Sequence, residues 1–420
     1  MSAFDAHRPP SAADIDACVH CGFCLPTCPT YVLWGEEMDS PRGRIVLMDA
    51  ALRETDVLSD AMVTHWDRCL GCMACVTACP SGVAYDRLLE DTRPQVERNH
   101  RRGRGERLLR RTLFRSFTDP RRLRRTAPLA GAASRLGARR LGRALPDSSR
   151  LGAVLRLTPR RSGTLVPKLT HARGERRGRA GLLLGCVNRV YFADANRATA
   201  ELLAAEGWDV YAPERPACCG ALHLHSGEED AALARMHETM AAFAGCDVVV
   251  TNAAGCGSAL KDAGRLVDTA DMRAFSSRVR DVSELLVRPE ARRGPLDVRV
   301  AYHDACHLAH AQGLRAEPRA ALASIPGLEL VEPAEQGLCC GSAGLYNILQ
   351  PKAAADLGRR KAAALAETGA EIVAAGNPGC ALQIETYLEE LGWRGEVVHP
   401  VELIARSAGL VPHARNVTNR

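Results

Sequence analysis

Cys18-Val-His-Cys21-Gly-Phe-Cys24-Leu-Pro-Thr-Cys28-Pro29 and, forty residues further on, Cys69-Leu-Gly-Cys72-Met-Ala-Cys75-Val-Thr-Ala-Cys79-Pro80 share one spacing, C-x2-C-x2-C-x3-C-P. That spacing is the one by which bacterial-type ferredoxins ligate 4Fe–4S clusters, and in two-cluster proteins the fourth cysteine of each run serves the other cluster. Three thiolates two residues apart wrap one cubane, and the proline turns the chain toward its neighbour. One cluster is therefore expected on Cys18, Cys21, Cys24 and Cys79, and a second on Cys69, Cys72, Cys75 and Cys28. Zinc normally takes paired C-x2-C knuckles closed by four ligands, which this duplicated triple run does not resemble.

The residues between the runs read as helices. Ser40-Pro41 is an N-cap and first-turn pair, followed by apolar Ile45, Val46, Leu47, Met48 and Leu52, and a second helix is expected over residues 59–66. Arg42 and Arg44 fall on the first turn. Close to a cluster, their charge would raise its potential; otherwise they are solvated helix charges. Residues 1–96 are expected to form a mainly helical two-cluster domain.

Charge is distributed unevenly. Residues 97–179 hold 24 arginines and one lysine against five acidic residues, a local balance of +20, which leaves the remainder at −14 within an overall +6. Leu108, Leu109, Leu113, Phe114 and Phe117 alternate with arginines in a nearly amphipathic helical pattern, and prolines punctuate the stretch beyond Phe117. Residues 97–178 are read as a basic helical linker that suits an anionic membrane surface, an acidic partner or simply solvent. Nothing beyond charge supports nucleic acid, which is not expected as a partner.

The rest is a repeat. Buried strands at Leu182-Leu183-Leu184 and at residues 298–302 lead to Cys186 and Cys306. A double cysteine with glycine follows in each copy, Cys218-Cys219-Gly220 and Cys339-Cys340-Gly341. Then come a helix (residues 230–244 and 353–368) and a strand (248–251 and 371–375), which runs into Cys256 or Cys380. Two α/β modules, 179–290 and 296–412, follow from this pattern, with cysteines at the carboxyl ends of strands, where open sheets place their sites. The fold class expected is α+β and multidomain: a helical ferredoxin domain, then two repeated α/β cysteine-rich modules. The four cysteines of each module, Cys186, Cys218, Cys219 and Cys256, then Cys306, Cys339, Cys340 and Cys380, suit one further iron–sulfur cluster apiece, with zinc or free thiols as alternatives. The glycine behind each pair permits a backbone conformation closed to other residues. Of 17 cysteines, Cys246 alone is left over; the matching position in the second copy is Ala370, which makes Cys246 a small buried apolar residue. His303, His307 and His310 would share a helical face if a helix opened at Cys306, for packing, capping or cluster tuning. His223 and His225 carry less signal.

Composition is that of an ordinary globular protein, with 46% hydrophobic and 25% charged residues. No apolar run is long enough to span a bilayer, residues 1–10 lack a signal-peptide pattern, and so many cysteines in that setting suggest reduced thiols serving metal in the cytoplasm. No glycine-rich nucleotide fingerprint is present.

Residues 18–93, with Cys-Val-His-Cys-Gly-Phe-Cys, Asp39-Ser-Pro-Arg-Gly-Arg44-Ile and Cys79-Pro-Ser-Gly, resemble the iron–sulfur subunit of bacterial glycolate oxidase (glycolate dehydrogenase). Asn252-Ala-Ala-Gly-Cys256-Gly and Cys339-Cys-Gly-Ser-Ala-Gly344 extend the resemblance over nearly the whole chain. It implies an electron-transfer subunit with no catalytic residue of its own. Its partners would be FAD-containing flavoprotein subunits that oxidise glycolate to glyoxylate, and a quinone or other respiratory acceptor, with peripheral membrane contact through residues 97–178. Lactate-oxidising and anaerobic glycerol-3-phosphate dehydrogenase subunits share the same parts. So does heterodisulfide reductase, whose catalytic module normally ends in C-x2-C; here Ala253 and Asn377 stand at the first cysteine of that pair, which disfavours disulfide reduction.

Overall fold

The computed structural model describes residues 2–159, 165–215, 217–287 and 289–411. Residues 160–164 of the basic stretch, residues 216 and 288 of the first module and residue 412 of the second lie outside the described residues. The chain is a mainly helical cysteine-bearing domain, a layer of arginine-rich helices, and two α/β modules with parallel sheets.

In the first domain, Ser40 caps the helix Pro41–Arg53 by accepting from the Gly43 N–H at 3.0 Å, and Ser59 caps Asp60–Asp67 in the same way. These satisfy amide groups that a helix start leaves free, each contributing about 1 kcal/mol. Met48, Trp66, Leu88 and Leu89 form the core between these helices and Tyr85–Asn99.

The basic stretch is helical over Arg104–Phe117, Pro120–Arg135, Ala138–Ala144 and Arg150–Arg156. Part of its charge is neutralised internally. Arg102 pairs with Asp67, Glu97 and Glu106, and Arg139 and Arg143 pair with Glu389 of the second module. Asp147 bridges Arg156 and Arg359. Leu113 and Phe114 bury against Leu345 and Ile348. These helices are thus packed onto the modules, while other arginines remain in solvent.

The first sheet contains β1 (Leu169–Thr170), β2 (Gly178–Leu182), β3 (Trp208–Tyr211), β4 (Val248–Thr251) and β5 (Val279–Asp281) in the order β1-β3-β2-β4-β5. The second contains β6 (Val298–His303), β7 (Leu328–Val331), β8 (Ile372–Ala375) and β9 (Glu396–Val398) in the order β7-β6-β8-β9. Apart from the antiparallel edge β1, the two sheets are parallel and share one topology. The strand read at Leu182-Leu183-Leu184 begins earlier, at Gly178, and ends at Leu182. Gly181 hides this strand from a pattern reading, yet a Cβ there would lie 2.4 Å from Phe243. Leu202 and Leu203 of the helix Ala193–Ala205 pack with Leu403 and Ile404 of the helix Pro400–Ser407 in a core common to both modules. At about 2 kcal/mol for each fully buried large aliphatic side chain, that core holds the modules together as one body.

Candidate metal centres

The loop carrying the first cysteine run winds through left-handed conformations at His20 (φ 54°) and Gly22 (φ 86°). Arg42 fixes it by donating to the His20 carbonyl at 2.8 Å while pairing with Glu37. Cys18, Cys24 and Cys79 lie along one edge of the first domain's core, and Cys21 is exposed. Burial pushes the Cys24 thiol up. Val19 and Phe23, about two-thirds exposed, flank Cys21.

Cys28 leaves its own run and joins Cys69, Cys72 and Cys75 around one small cavity. Arg44 is completely buried beside it: Nη1 lies 3.9 Å from Cys28 Sγ, and Nη2 donates to Thr30 at 3.0 Å and to Asp39 at 3.3 Å. Asp39 also accepts from Arg68 at 2.8 Å and pairs with His65. Arg44 is therefore not a solvated helix charge, whereas Arg42 is a surface residue. Burial alone would raise Cys69, but the Arg44 and Arg93 guanidinium groups outweigh it and bring this thiol below its ordinary value. Burial pushes Cys72 and Cys75 well up.

In the first module Cys186 follows β2, Cys218 and Cys219 lie in the loop after β3, and Cys256 sits in the first turn of the helix Ala254–Val267. In the second, Cys306 follows β6, Cys339 and Cys340 lie in the loop after β7, and Cys380 sits in the first turn of Pro378–Glu390. Gly220 (φ 78°) and Gly341 (φ 85°) make the same bend behind each double cysteine. A Cβ at either would lie 2.7 Å from a helix carbonyl oxygen, of Ala232 or Ala354, so no other residue fits. The thiols of each set interact in sequence. Cys186 and Cys219 hydrogen-bond to Cys218, which is held low by them, while Cys186 and Cys219 are pushed up by donating and by burial. Cys306, Cys339, Cys340 and Cys380 form the corresponding chain of thiols, in which Cys306, Cys339 and Cys340 are pushed well up. His303 joins this second set: its ring and the Cys340 and Cys380 sulfurs lie within 4.8 Å of one another.

The three histidines of the second module do not share a helical face. His303 ends β6, and after a turn a single π-helical segment, His307–Ala311, begins beyond Cys306. The strand's extended geometry separates His303 from the others. His307 instead faces His225 of the first module, with ring centroids 4.8 Å apart, and His310 bonds Thr77 of the first domain at 2.8 Å. Cys246 lies in the apolar core of the first module, against Gly181 of β2 and two residues before β4.

The domains meet at these sites. Cys72, Leu70 and Ala74 share a buried cluster with Cys339, Tyr346 and Leu357, and Cys306 packs against it. Arg93 donates to the Cys69 carbonyl at 2.7 Å, and its charge also reaches His225 and His307. These cross-domain partners have no local sequence signal, because residues far apart in the chain make the contact. Soft thiols converging in apolar surroundings, as Cys28 does with Cys69, Cys72 and Cys75, fit a group that brings its own positive charge, as iron in a 4Fe–4S cluster does.

Residues 14–83 match the 4Fe-4S dicluster domain family, and residues 180–261 and 300–385 match the cysteine-rich domain family. A relative described as a probable glycolate oxidase iron-sulfur subunit, from Bacillus subtilis (strain 168), is 37% identical across 93% of this chain and 94% of its own. The glycolate oxidase iron-sulfur subunit of Escherichia coli (strain K12) is 34% identical over 93% of both chains. A protein described as lactate utilization protein A, from Oceanobacillus iheyensis, is 27% identical over 54% of this chain and 96% of its own. With both runs and both modules matched and the similarity to the first two sustained from end to end, the chain belongs to the glycolate oxidase iron–sulfur subunit family.

Proposed function

We propose that this chain is the electron-transfer subunit of a glycolate-oxidising complex, standing between a FAD-containing flavoprotein and a quinone or other respiratory acceptor. Cys18, Cys21, Cys24 and Cys79 would hold one 4Fe–4S cluster, and Cys69, Cys72, Cys75 and Cys28 the other. Cys186, Cys218, Cys219 and Cys256, and Cys306, Cys339, Cys340 and Cys380, would hold one further iron–sulfur cluster in each module. Bound clusters supply one-electron transfer. The chain's residues supply the placement. Cys21 with Val19 and Phe23 offers an exposed apolar face on which a flavoprotein can dock. The Cys69 set is buried from water, with Arg44 as its fixed countercharge.

The observation that carries this reading is the packing of Cys72 against Cys306 and Cys339 across a domain boundary. Burying thiols from two separately matched families in one apolar cluster is what short-range electron exchange requires. The proposed division is 1–96, 97–178, 179–290 and 296–412, with Leu169–Thr170 and Gly178 at the end of the second segment joining the first module's sheet. No helix among the described residues is long and apolar enough to cross a membrane. Peripheral contact is supported by Leu129, Leu136 and Leu151, exposed among the arginines of residues 97–178.

The test is anaerobic. In the purified complex, glycolate is expected to bleach the visible cluster absorbance, and Cys72→Ser should preserve assembly yet stop delivery to quinone. Bleaching by D-lactate, L-lactate or glycerol 3-phosphate alone would keep the relay and reassign the substrate. No bleaching by any of them, with clusters still reducible by dithionite, would reject the relay.

A further inference from the structure

Lys361, in the helix Pro351–Ala366, is only 1% exposed. Its Nζ donates to the Glu335 carbonyl at 2.8 Å and to the Gln336 carbonyl at 3.4 Å. The nearby carboxylates are engaged elsewhere: Asp304 pairs with Arg319, and Glu335 with Arg360. Burial lowers Lys361, while the Cys340 and Cys339 thiols raise it, ahead of Glu335 and Asp304. Its ammonium is thus a buried charge whose chief opposite charges are two sulfurs of the second module. Two N–H donors stand against the same set. His303, also 1% exposed, has both ring nitrogens unpaired, and its ligating nitrogen lies within 4.8 Å of the Cys340 and Cys380 sulfurs. Asn377 Nδ2 donates to Cys380 Sγ at 3.5 Å. A buried polar group left unsatisfied loses roughly 1–3 kcal/mol, so the free imidazole N–H points to a sulfur acceptor.

The first copy has none of the three. The helix behind each double cysteine sets an alanine against the glycine, Ala232 or Ala354, and seven residues later stand Thr239 and Lys361. Thr239 is neutral and donates to the Cys218 carbonyl at 2.9 Å. Three residues before Cys186 and Cys306 stand Leu183 and His303, and three before Cys256 and Cys380 stand Ala253 and Asn377. The polar neighbours of the first copy are screened or engaged elsewhere. Arg235, whose charge reaches Cys218, is exposed and paired with Glu238, so water and salt weaken it. His223 stacks on Phe114, with ring centroids 5.2 Å apart.

We propose that Lys361, His303 and Asn377 make the second module the more readily reduced of the two copies, by setting one buried positive charge and two N–H donors against Cys339, Cys340 and Cys380. Four thiolates outweigh the charge of the iron they hold, and accepting one electron adds a further negative charge. A positive charge that water does not screen, together with hydrogen bonds to sulfur, stabilises that added charge and raises the potential. The electron gained is one lost by the first domain, whose Cys72 shares an apolar cluster with Cys339 and Cys306, and no proton is transferred. Electrons therefore collect in the copy that touches the first domain's thiols. The tuning rests on the reading that each module holds an iron–sulfur cluster.

The purified complex is titrated anaerobically with dithionite and redox mediators, and the reduced clusters are followed by low-temperature EPR. Cys218→Ser and Cys339→Ser identify the signal of each module by its loss. The signal lost in Cys339→Ser is expected to appear at the higher potential. Lys361→Met removes the charge at similar volume and is expected to turn the second module's equilibrium at least tenfold against reduction, about 59 mV for one electron. His303→Leu and Asn377→Ala, which install the residues of the first copy, should shift it the same way by less. Iron content and the first module's potential should stay at wild-type values, which shows that each variant is folded. Equal potentials in the two modules, or a first module easier to reduce, would overturn the tuning. So would wild-type potentials in Lys361→Met and His303→Leu, or a loss of iron in His303→Leu, which would make that residue a ligand. If Cys218→Ser and Cys339→Ser remove neither iron nor signal, the cluster reading fails and the tuning with it; module signals present in the wrong order reject the tuning alone.

Discussion

The two cysteine-rich modules have the same parallel strand order, the same four cysteines in the loops and first helical turn that follow strands, and the same left-handed glycine behind the double cysteine. Their surroundings differ. The second module packs Cys306 and Cys339 against Cys72, whereas the first shares its apolar core with the second and touches the first domain through ion pairs such as Arg265 with Glu90. His303 lies beside the thiols of the second module where the first has Leu183. The cap of the last helix is Asp281 in one and His399 in the other, both in capping boxes. Duplication supplied the sulfur geometry twice, and the neighbours give each copy different surroundings.

The largest effect expected separates the two copies. Cys339→Ser should lower glycolate-to-decylubiquinone turnover at least 100-fold while glycolate still bleaches the first domain. Cys218→Ser should lose a similar amount of iron but keep roughly a tenth of the turnover. Equal losses, measured with iron analysis on the same samples, would show that the modules act as one unit.

Glu206 marks a second asymmetry. It is buried at the end of the helix Ala193–Ala205, where it accepts from Arg293 at 3.0 Å and from the Glu290 amide at 2.6 Å, tying down the connection between modules. At the corresponding helix end in the second module, Ser324 only bonds Ala321. Glu206→Gln strands a buried guanidinium and should cost about 3 kcal/mol in urea unfolding, against less than about 0.5 kcal/mol for Ser324→Ala.

The two caps titrate in opposite senses. Burial holds His399 down to about 4, so its contribution is present above the ordinary histidine value and is lost as pH falls toward 4. Burial pushes Asp281 up to about 6, so its contribution is present at low pH and is lost as pH rises through 6. Between pH 7 and pH 5 the two nearly cancel in the wild-type chain. His399→Asn should then gain about 1 kcal/mol of stability on going to pH 5, and Asp281→Asn should lose about 2 kcal/mol. Parallel pH profiles for wild type and both variants would break this pairing.

The smallest effect concerns Cys246, whose counterpart is Ala370. Cys246→Ala should cost about 1 kcal/mol and leave iron at the wild-type level, about 16 per chain with four 4Fe–4S clusters. A loss of iron would add Cys246 to the ligands.

Both cysteine runs, the helix caps at Ser40 and Ser59, the repeated strand–cysteine–helix order and the spare Cys246 were legible because each depends on local spacing. The strand at Gly178–Leu182 was partly hidden by its glycines, which serve contacts with Phe243 and Asp247 that no local pattern reports. The histidine face at 303–310 failed because a strand end and a π-helical turn replaced the regular helix that the spacing assumed.

By itself the sequence determined the ligand chemistry, the fold class and the duplication, since thiol spacing and glycine placement act over a few bonds. Tertiary structure alone decided that Arg44 is buried on Cys28, that Cys72 meets Cys306, and that His225 faces His307. These are contacts between segments tens to hundreds of residues apart, set by which apolar faces bury one another rather than by any local spacing.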